Sequence, residues 1–212
     1  MTAESRREKL IAELRRMGIR NERVLAAIRN IPRHEFIGDA LKARAYDNDA
    51  LPIGQAQTIS QPYIVAKMTE AVLEGGVPRD KILEIGTGSG YQTVVLAALL
   101  PRVFTVERLR HLSEQARARL ERLGCHNVLF SYGDGHLGWS QYAPYDAIVV
   151  TAAATTVPEA LKQQLAPGGR LVIPVGAQND VQTLRVIERG ASGLTTRHLD
   201  AVSFVPMLAG KA

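Results

Sequence analysis

Apolar positions along the chain follow two rhythms. Leu10, Ile11 and Leu14 recur at helical spacing within Ser5 to Met17, and Gly18 ends that segment. Asn21 precedes a second helical run, Val24, Leu25 and Ile28, stopped by Pro32. From Asp47 to Gln61 periodicity is weak, and Pro52 and Gly54 mark a loop with room for a short strand. Pro62 suits a first helical position, with Ser60 or Gln61 as cap. The helix it opens runs to about Leu73 and presents its N-terminal amides to that loop.

From Lys81 onward the rhythm changes. Short apolar runs at Lys81–Ile85, Val103–Val106, Val128–Ser131, Ala147–Val150 and Leu171–Val175 read as strands. Helical segments lie between them, at Tyr91–Leu100, Leu109–Leu123 (ended by Gly124) and Pro158–Leu165 (closed by Pro167-Gly168-Gly169). Val181–Glu188 and Thr195–Val205 add two strands at the end. The pattern predicts an α/β fold: a doubly wound, mostly parallel seven-stranded sheet of Rossmann-like type. An antiparallel strand should lie near one edge, and the N-terminal segment forms a helical extension. One domain over 1–212 is expected, with residues 1–76 as helical and substrate-loop region and 77–212 as cofactor-binding core.

Composition narrows the class without changing that picture. The 212 residues are 46% hydrophobic and 22% charged, as in a globular chain with a real core. The longest apolar stretch, Val94 to Leu100, falls far short of the roughly 20 residues of a membrane span. Met1 to Arg7 is charged and lacks the apolar core of an export signal, so a cytoplasmic location is expected. A single cysteine, Cys125, excludes an internal disulfide and a cysteine-built zinc site. The net charge of +5 raises nucleic acid as a partner. However, Arg6, Arg7, Lys9, Arg15 and Arg16 alternate with Glu4, Glu8 and Glu13, the pattern of a solvated helix face, and no nucleic-acid partner is expected.

The densest chemistry lies at Ile82-Leu83-Glu84-Ile85-Gly86-Thr87-Gly88-Ser89-Gly90, an apolar strand running into three glycines and then a helix. Glycines let a ligand approach the backbone, and the carboxyl end of a strand is where open α/β sheets bind ligands. A dinucleotide fingerprint needs a third glycine at position 91, where Tyr91 stands. Glu84 beside the turn would repel a pyrophosphate but suits the ammonium and sulfonium of S-adenosyl-L-methionine. Glu107 ends the next strand, about 20 residues on, where a carboxylate takes ribose hydroxyls. It is also placed to start the following helix. Asp134, in Gly133-Asp134-Gly135 after the third strand, is placed to reach an adenine amino group, with an ordinary Asx-Gly turn as the alternative role. Gly86, Thr87, Gly88, Ser89, Gly90, Glu84, Glu107, Asp134 and Gly135 are thus the candidate cofactor residues. Their order resembles that of class I methyltransferases.

Upstream, Leu51-Pro52-Ile53-Gly54-Gln55-Ala56-Gln57-Thr58-Ile59-Ser60-Gln61-Pro62-Tyr63 closely resembles the signature loop of the protein-L-isoaspartate(D-aspartate) O-methyltransferase family. Further matches are Ile31-Pro32-Arg33-His34-Glu35-Phe36, Tyr132-Gly133-Asp134-Gly135, Tyr145 to Ala153, Leu165 to Arg170, and Phe204-Val205-Pro206. Two positions depart from the family pattern. Ala56 stands where many relatives carry glycine, and Met207-Leu208 follows Pro206 where relatives commonly have Leu and sometimes Thr.

The resemblance implies transfer of a methyl group to the free α-carboxylate of L-isoaspartyl residues, with D-aspartyl sites as a further acceptor, in damaged proteins and peptides. The ester then closes to a succinimide, and hydrolysis returns part of the material to aspartate. Such a carboxylate, with a reference pKa of about 3.3–3.7, is already ionised at neutral pH, so no strong base is required. Alignment and removal of water should carry catalysis. In that scheme Ser60 orients the carboxylate, as the catalytic residue, and Thr58, Ile59 and Val205 shape the substrate pocket. Ser60 as simple cap of the helix at Pro62 is the alternative role, and both can hold.

His34 and His136 are isolated, with no carboxylate pair at ligand spacing beside either, so no metal is expected, and His111 reads as a solvated residue of a charged helix. Trp139 and Tyr142 precede a buried strand and read as packing, and Cys125 as a small residue leading into a strand. The rival function is an S-adenosylmethionine enzyme acting on RNA or a small molecule. Thr151-Ala152-Ala153-Ala154 after the fourth strand lacks the Asn-Pro-Pro-Tyr-like clamp of RNA base methylation. A monomer is expected.

Overall fold

A computed structural model describes residues 2–75, 78–178 and 180–212. The expected boundary between 76 and 77 falls on Gly76 and Val77, outside the described residues. The chain opens with helix α1 (Ala3–Arg16), whose first turn is capped by the Thr2 hydroxyl accepting from Ser5 N at 3.2 Å. Helix α2 (Glu22–Asn30) is capped by Asn21, as its sequence requires. Two 3-10 turns, Arg33–Phe36 and Asp39–Arg44, lead to an antiparallel hairpin of β1 (Leu51–Gly54) and β2 (Gln57–Ile59).

Helix α3 (Pro62–Leu73) follows, then β3 (Lys81–Ile85), α4 (Tyr91–Ala97), β4 (Arg102–Glu107), α5 (Arg110–Arg122) and β5 (Val128–Tyr132). The chain continues with β6 (Tyr145–Val150), α6 (Glu159–Gln163), β7 (Leu165–Val175), β8 (Gln182–Gly190) and β9 (Gly193–Val202). The large sheet has seven strands in the order β5-β4-β3-β6-β7-β8-β9. Strands β3 to β7 are parallel, and β8 is antiparallel to both β7 and β9. From β3 the chain winds outward to β5 and then returns to β6 on the other side. That reversal leaves a crevice at the carboxyl ends of β3 and β6.

Both faces of the sheet are covered. Met68, Ala71 and Val72 of α3 pack in one cluster with Ile82, Val103, Ala147 and Val172. The helix that follows the hairpin is thereby part of the sheet's own core. Leu83, Ile85, Phe104 and Ile148 point to the opposite face, as strand alternation demands. There Trp139, Tyr142 and Tyr145 stack around Phe104 at 4.8–5.8 Å between ring centroids. Packing is therefore what Trp139 and Tyr142 do.

Besides α4, which stops at Ala97 and not at Leu100, two elements differ from the sequence pattern. Pro167-Gly168-Gly169, expected to close a helix running to Leu165, lies instead inside β7. Leu165 pairs with Tyr145, and the register then shifts so that Arg170 pairs with Ala147. Gly169 permits this bulge, because a Cβ there would lie 2.7 Å from the Ala166 carbonyl oxygen. The last strand ends at Val202, short of Val205. Gln182 grips the backbone of Phe204, accepting from its N–H at 2.6 Å and donating to its carbonyl at 3.1 Å. Val205 and Met207 then pair with Ala153 at 2.8 Å each, so this segment leaves the sheet edge and crosses to the end of β6.

Candidate active site

One cleft lies across the carboxyl ends of β3, β4 and β6, with about 850 Å³ of open space including its mouth. Its floor is the turn after β3. The Gly86 N–H donates to the Val106 carbonyl at 2.8 Å, and the Thr151 hydroxyl lies 2.5 Å from the Gly86 carbonyl oxygen. Gly86 has φ +93, and a Cβ there would sit 2.4 Å from Thr151 Oγ1, so only glycine fits. Gly86, Thr87, Gly88 and Ser89 all line the cleft.

Glu107 lines it too and is 5% exposed. One carboxylate oxygen accepts from Gly88 N and the other from Leu109 N, both at 2.9 Å. This single side chain thus braces the turn and starts α5. Each oxygen keeps a lone-pair direction for a further donor, which suits a vicinal diol. Both sequence-level roles of Glu107 are compatible with one geometry.

Three expected cofactor residues do not reach the cleft. Glu84 is fully buried, on the face of β3 opposite Ile85. One of its oxygens accepts from Thr93 at 2.5 Å and from Thr105 at 2.7 Å. Thr105 in turn lies 2.6 Å from the Thr87 hydroxyl, so Glu84 supports the turn from behind. Burial pushes its carboxyl up to about 8, against the two hydroxyls that lower it. Gly90 has φ +87 and serves packing: a Cβ would lie 2.7 Å from Leu120 Cδ1 and 3.3 Å from Ala116 Cβ. Asp134 caps a 3-10 turn by accepting from His136 N at 2.9 Å, and it also accepts from Gly210 N at 2.7 Å. Burial opposes its ionisation, but those N–H groups and His136 hold its carboxyl below the ordinary range. Its neighbour Gly135 does line the cleft.

The opposite wall comes from the hairpin and the returning C-terminal segment. Thr58, Ile59, Ser60 and Val205 line it, together with Thr151. A second hollow, lined by Thr58, Ser60, Ile64, Phe204 and Val205 among others, leads outward from this wall. Ser60 does not cap α3. The cap residue is Gln61, which makes no side-chain bond, and Tyr63 N donates instead to Asn48 Oδ1 at 2.9 Å. None of the hydrogen bonds among the described residues uses the Ser60 hydroxyl.

Glu107 and Arg108 are the charged residues lining the cleft, and no histidine lines it. Among the described residues no group of three or more His, Cys, Asp or Glu is arranged to hold a metal. Thr151, Ile85, Tyr91 and Met207 also line the cleft, although sequence reasoning assigned them no role. For Thr151 a signal existed in its position directly after the fourth strand of the parallel series.

Sheet order and cleft together are those of a class I methyltransferase. The sequence profile of the family "Protein-L-isoaspartate(D-aspartate) O-methyltransferase (PCMT)" matches residues 5–212. The protein-L-isoaspartate O-methyltransferase of Ectopseudomonas mendocina is 57% identical over 210 residues, covering 99% of each chain. That of Halorhodospira halophila is 52% identical over 211 residues, covering 100% of this chain and 95% of that one. A solved protein-L-isoaspartate O-methyltransferase superposes with a TM-score of 0.84 at 31% identity, over 94% of this chain and 65% of that one. A Plasmodium falciparum structure in complex with S-adenosyl-L-homocysteine gives 0.80 at 25% identity, over 94% and 97%. The chain belongs to the protein-L-isoaspartate(D-aspartate) O-methyltransferase family.

Two outcomes follow from the geometry. Glu107→Ala should weaken S-adenosyl-L-homocysteine about tenfold or more, equivalent to roughly 1.4 kcal/mol; an unchanged dissociation constant by calorimetry removes Glu107 from cofactor binding. Glu84 holds its proton in the folded state from its ordinary 4.5 up to about 8. Its contribution therefore favours folding at low pH and is lost as pH rises through that window. Glu84→Gln should flatten the decline of thermal midpoint across it, and equal slopes in variant and parent would count against this protonation.

Proposed function

We propose that this chain transfers the methyl group of S-adenosyl-L-methionine to the free α-carboxylate of L-isoaspartyl residues in proteins and peptides, initiating repair. The observation that carries this reading is the placement of Thr58, Ile59 and Ser60 across one cleft from Gly86 to Ser89, in a chain of this family. S-adenosyl-L-methionine, when bound, supplies an electrophilic methyl on a sulfonium. Gly86, Thr87, Gly88, Ser89, Glu107 and Gly135 would hold it, and Asp134 would act through the turn that it caps.

The chain's own residues orient and dry the acceptor. A carboxylate needs no deprotonation at neutral pH, which accords with a cleft lined by no histidine. The Ser60 hydroxyl can donate to one carboxylate oxygen and leave the other free to face the methyl, as an orienting group. Ile59, which is 2% exposed, and the half-buried Val205 exclude water beside it.

The acceptor in this reading is protein and not nucleic acid, and the enzyme works in the cytoplasm as a monomer. Residues 1–76 bring the acceptor loop and 77–212 the cofactor core to one functional unit. No helix among the described residues is long and apolar enough to cross a membrane. Exposed large apolar side chains such as Met17, Leu137 and Leu194 are spread along the chain.

The test uses labelled S-adenosyl-L-methionine with matched peptides bearing isoaspartate, aspartate or asparagine. Label is expected only on the isoaspartyl peptide and should be released by mild base. Label on RNA, or equally on all three peptides, would overturn the reading. Ser60→Ala should cut turnover of the isoaspartyl peptide about tenfold or more, the loss of one charge-assisted hydrogen bond, and leave S-adenosyl-L-homocysteine affinity nearly unchanged. Wild-type turnover would remove Ser60 from the chemistry.

A further inference from the structure

Arg33 is fully buried, in the 3-10 turn Arg33–Phe36. Among the described residues it makes no ion pair, and its Nε and Nη1 have no hydrogen-bond partner. Burial drives its pKa down, against the nearby Tyr91 and Tyr46 hydroxyls. An unpaired cation buried in this way is costly, and an apolar side chain of similar size would fill the space without that cost. Two of its contacts bear on the cleft.

The first contact is Nη2 donating to the Asp49 carbonyl at 3.1 Å, two residues before the hairpin that carries Thr58 and Ser60. The second is the face of Tyr91, with the guanidinium carbon 4.9 Å from the ring centroid. Tyr91 opens α4 directly after the glycine turn and lines the cleft. One planar group thus touches the base of the acceptor loop and the helix that begins at the cofactor turn.

A parallel arm starts from the same 3-10 turn. Phe36 meets the Tyr91 ring edge-on at 5.3 Å, and Arg119 lies 5.7 Å over Phe36 while donating to the Ser89 carbonyl at 2.7 Å. Ile53 of the hairpin reaches to 3.8 Å from where a Cβ on Gly88 would sit. The acceptor loop and the glycine turn are therefore close neighbours joined through the turn at 33–36.

We propose that Arg33 is a positioning residue that couples the two halves of the cleft, so that cofactor bound against the glycine turn sets the acceptor loop for the isoaspartyl peptide. The inference rests on the proposed function. By linkage the coupling is reciprocal: peptide must tighten cofactor by the same factor that cofactor tightens peptide.

The experiment measures S-adenosyl-L-homocysteine affinity by calorimetry with and without saturating isoaspartyl peptide, for the full chain and for Arg33→Met and Arg33→Lys. The parent should show peptide tightening the cofactor by about fivefold or more. Arg33→Met should keep its thermal midpoint, since an apolar isostere replaces an unpaired charge, bind the cofactor alone within about twofold of the parent, and lose the coupling. Arg33→Lys keeps a donor and a charge but not the planar face, so it should also lose most of the coupling.

A merely structural role would lower the midpoint and weaken both ligands while leaving the coupling factor intact, and that result overturns the proposal. So does a parent enzyme without coupling, or failure of both variants to fold. Methylation of the isoaspartyl peptide by the parent is scored separately. If it is absent the functional reading falls and takes the coupling with it. If it is present while coupling is unity or unaltered by Arg33→Met, only the coupling fails.

Discussion

Gly86 is the point where three strands finish together. Its N–H is taken by Val106 at the end of β4, and the Thr151 hydroxyl at the end of β6 reaches its carbonyl. Thr151 N closes the third side by donating to the Ile85 carbonyl at 2.9 Å. No side chain fits at Gly86, and the absence of a Cβ is what lets the ends of β4 and β6 close on it. With that closure, Glu107 lies beside the turn and Thr151 beside the acceptor wall. Moving any of the three ends would displace both.

The site also divides its physics cleanly. The cofactor side is polar backbone, ordered by the buried Glu107 carboxylate in front and the buried, protonated Glu84 carboxyl group behind. Glu107 spends its charge on N–H groups at the cleft, whereas Glu84 is held among hydroxyls in the interior. Among the described residues, the wall of Thr58, Ile59, Ser60 and Val205 brings no titratable side chain, only hydroxyl, apolar surface and backbone. In the proposed reaction that leaves geometry and exclusion of water, the two means that suit a nucleophile already ionised when it arrives.

Much of this was legible from local pattern. The run Ile82 to Ile85 ending in glycine placed β3 and the turn, and Asn21 announced α2. The class of sheet followed from strands alternating with helices. What escaped depended on contacts from afar. Glu84 sits in a strand buried on both faces, so alternation alone could not say which face held the cleft. The α4 helix stops at Ala97, three residues before Leu100, where Asn127 donates to the carbonyls of Ala97 and Leu100 at 2.9 Å. The hairpin was weakly marked because Gln55 and Ala56 both adopt φ +53, a conformation whose usual signal is Asn or Gly. Ala56, the departure from the family pattern, therefore stands at a turn position that glycine would occupy at lower conformational cost. Ser60, Thr58 and Val205 were reached through family resemblance, since nothing in their spacing reveals that they meet.

The crossing of Phe204 and Val205 from the sheet edge to Ala153 makes the cleft sensitive to the antiparallel side of the sheet. Gln182 of β8 holds Phe204 through both its N–H and its carbonyl, and Ala153 holds Val205 and Met207. The glycine turn hangs instead on the ends of β4 and β6. A substitution that shifts β8 would therefore move the wall that Val205 lines and leave the turn at Gly86 where it is.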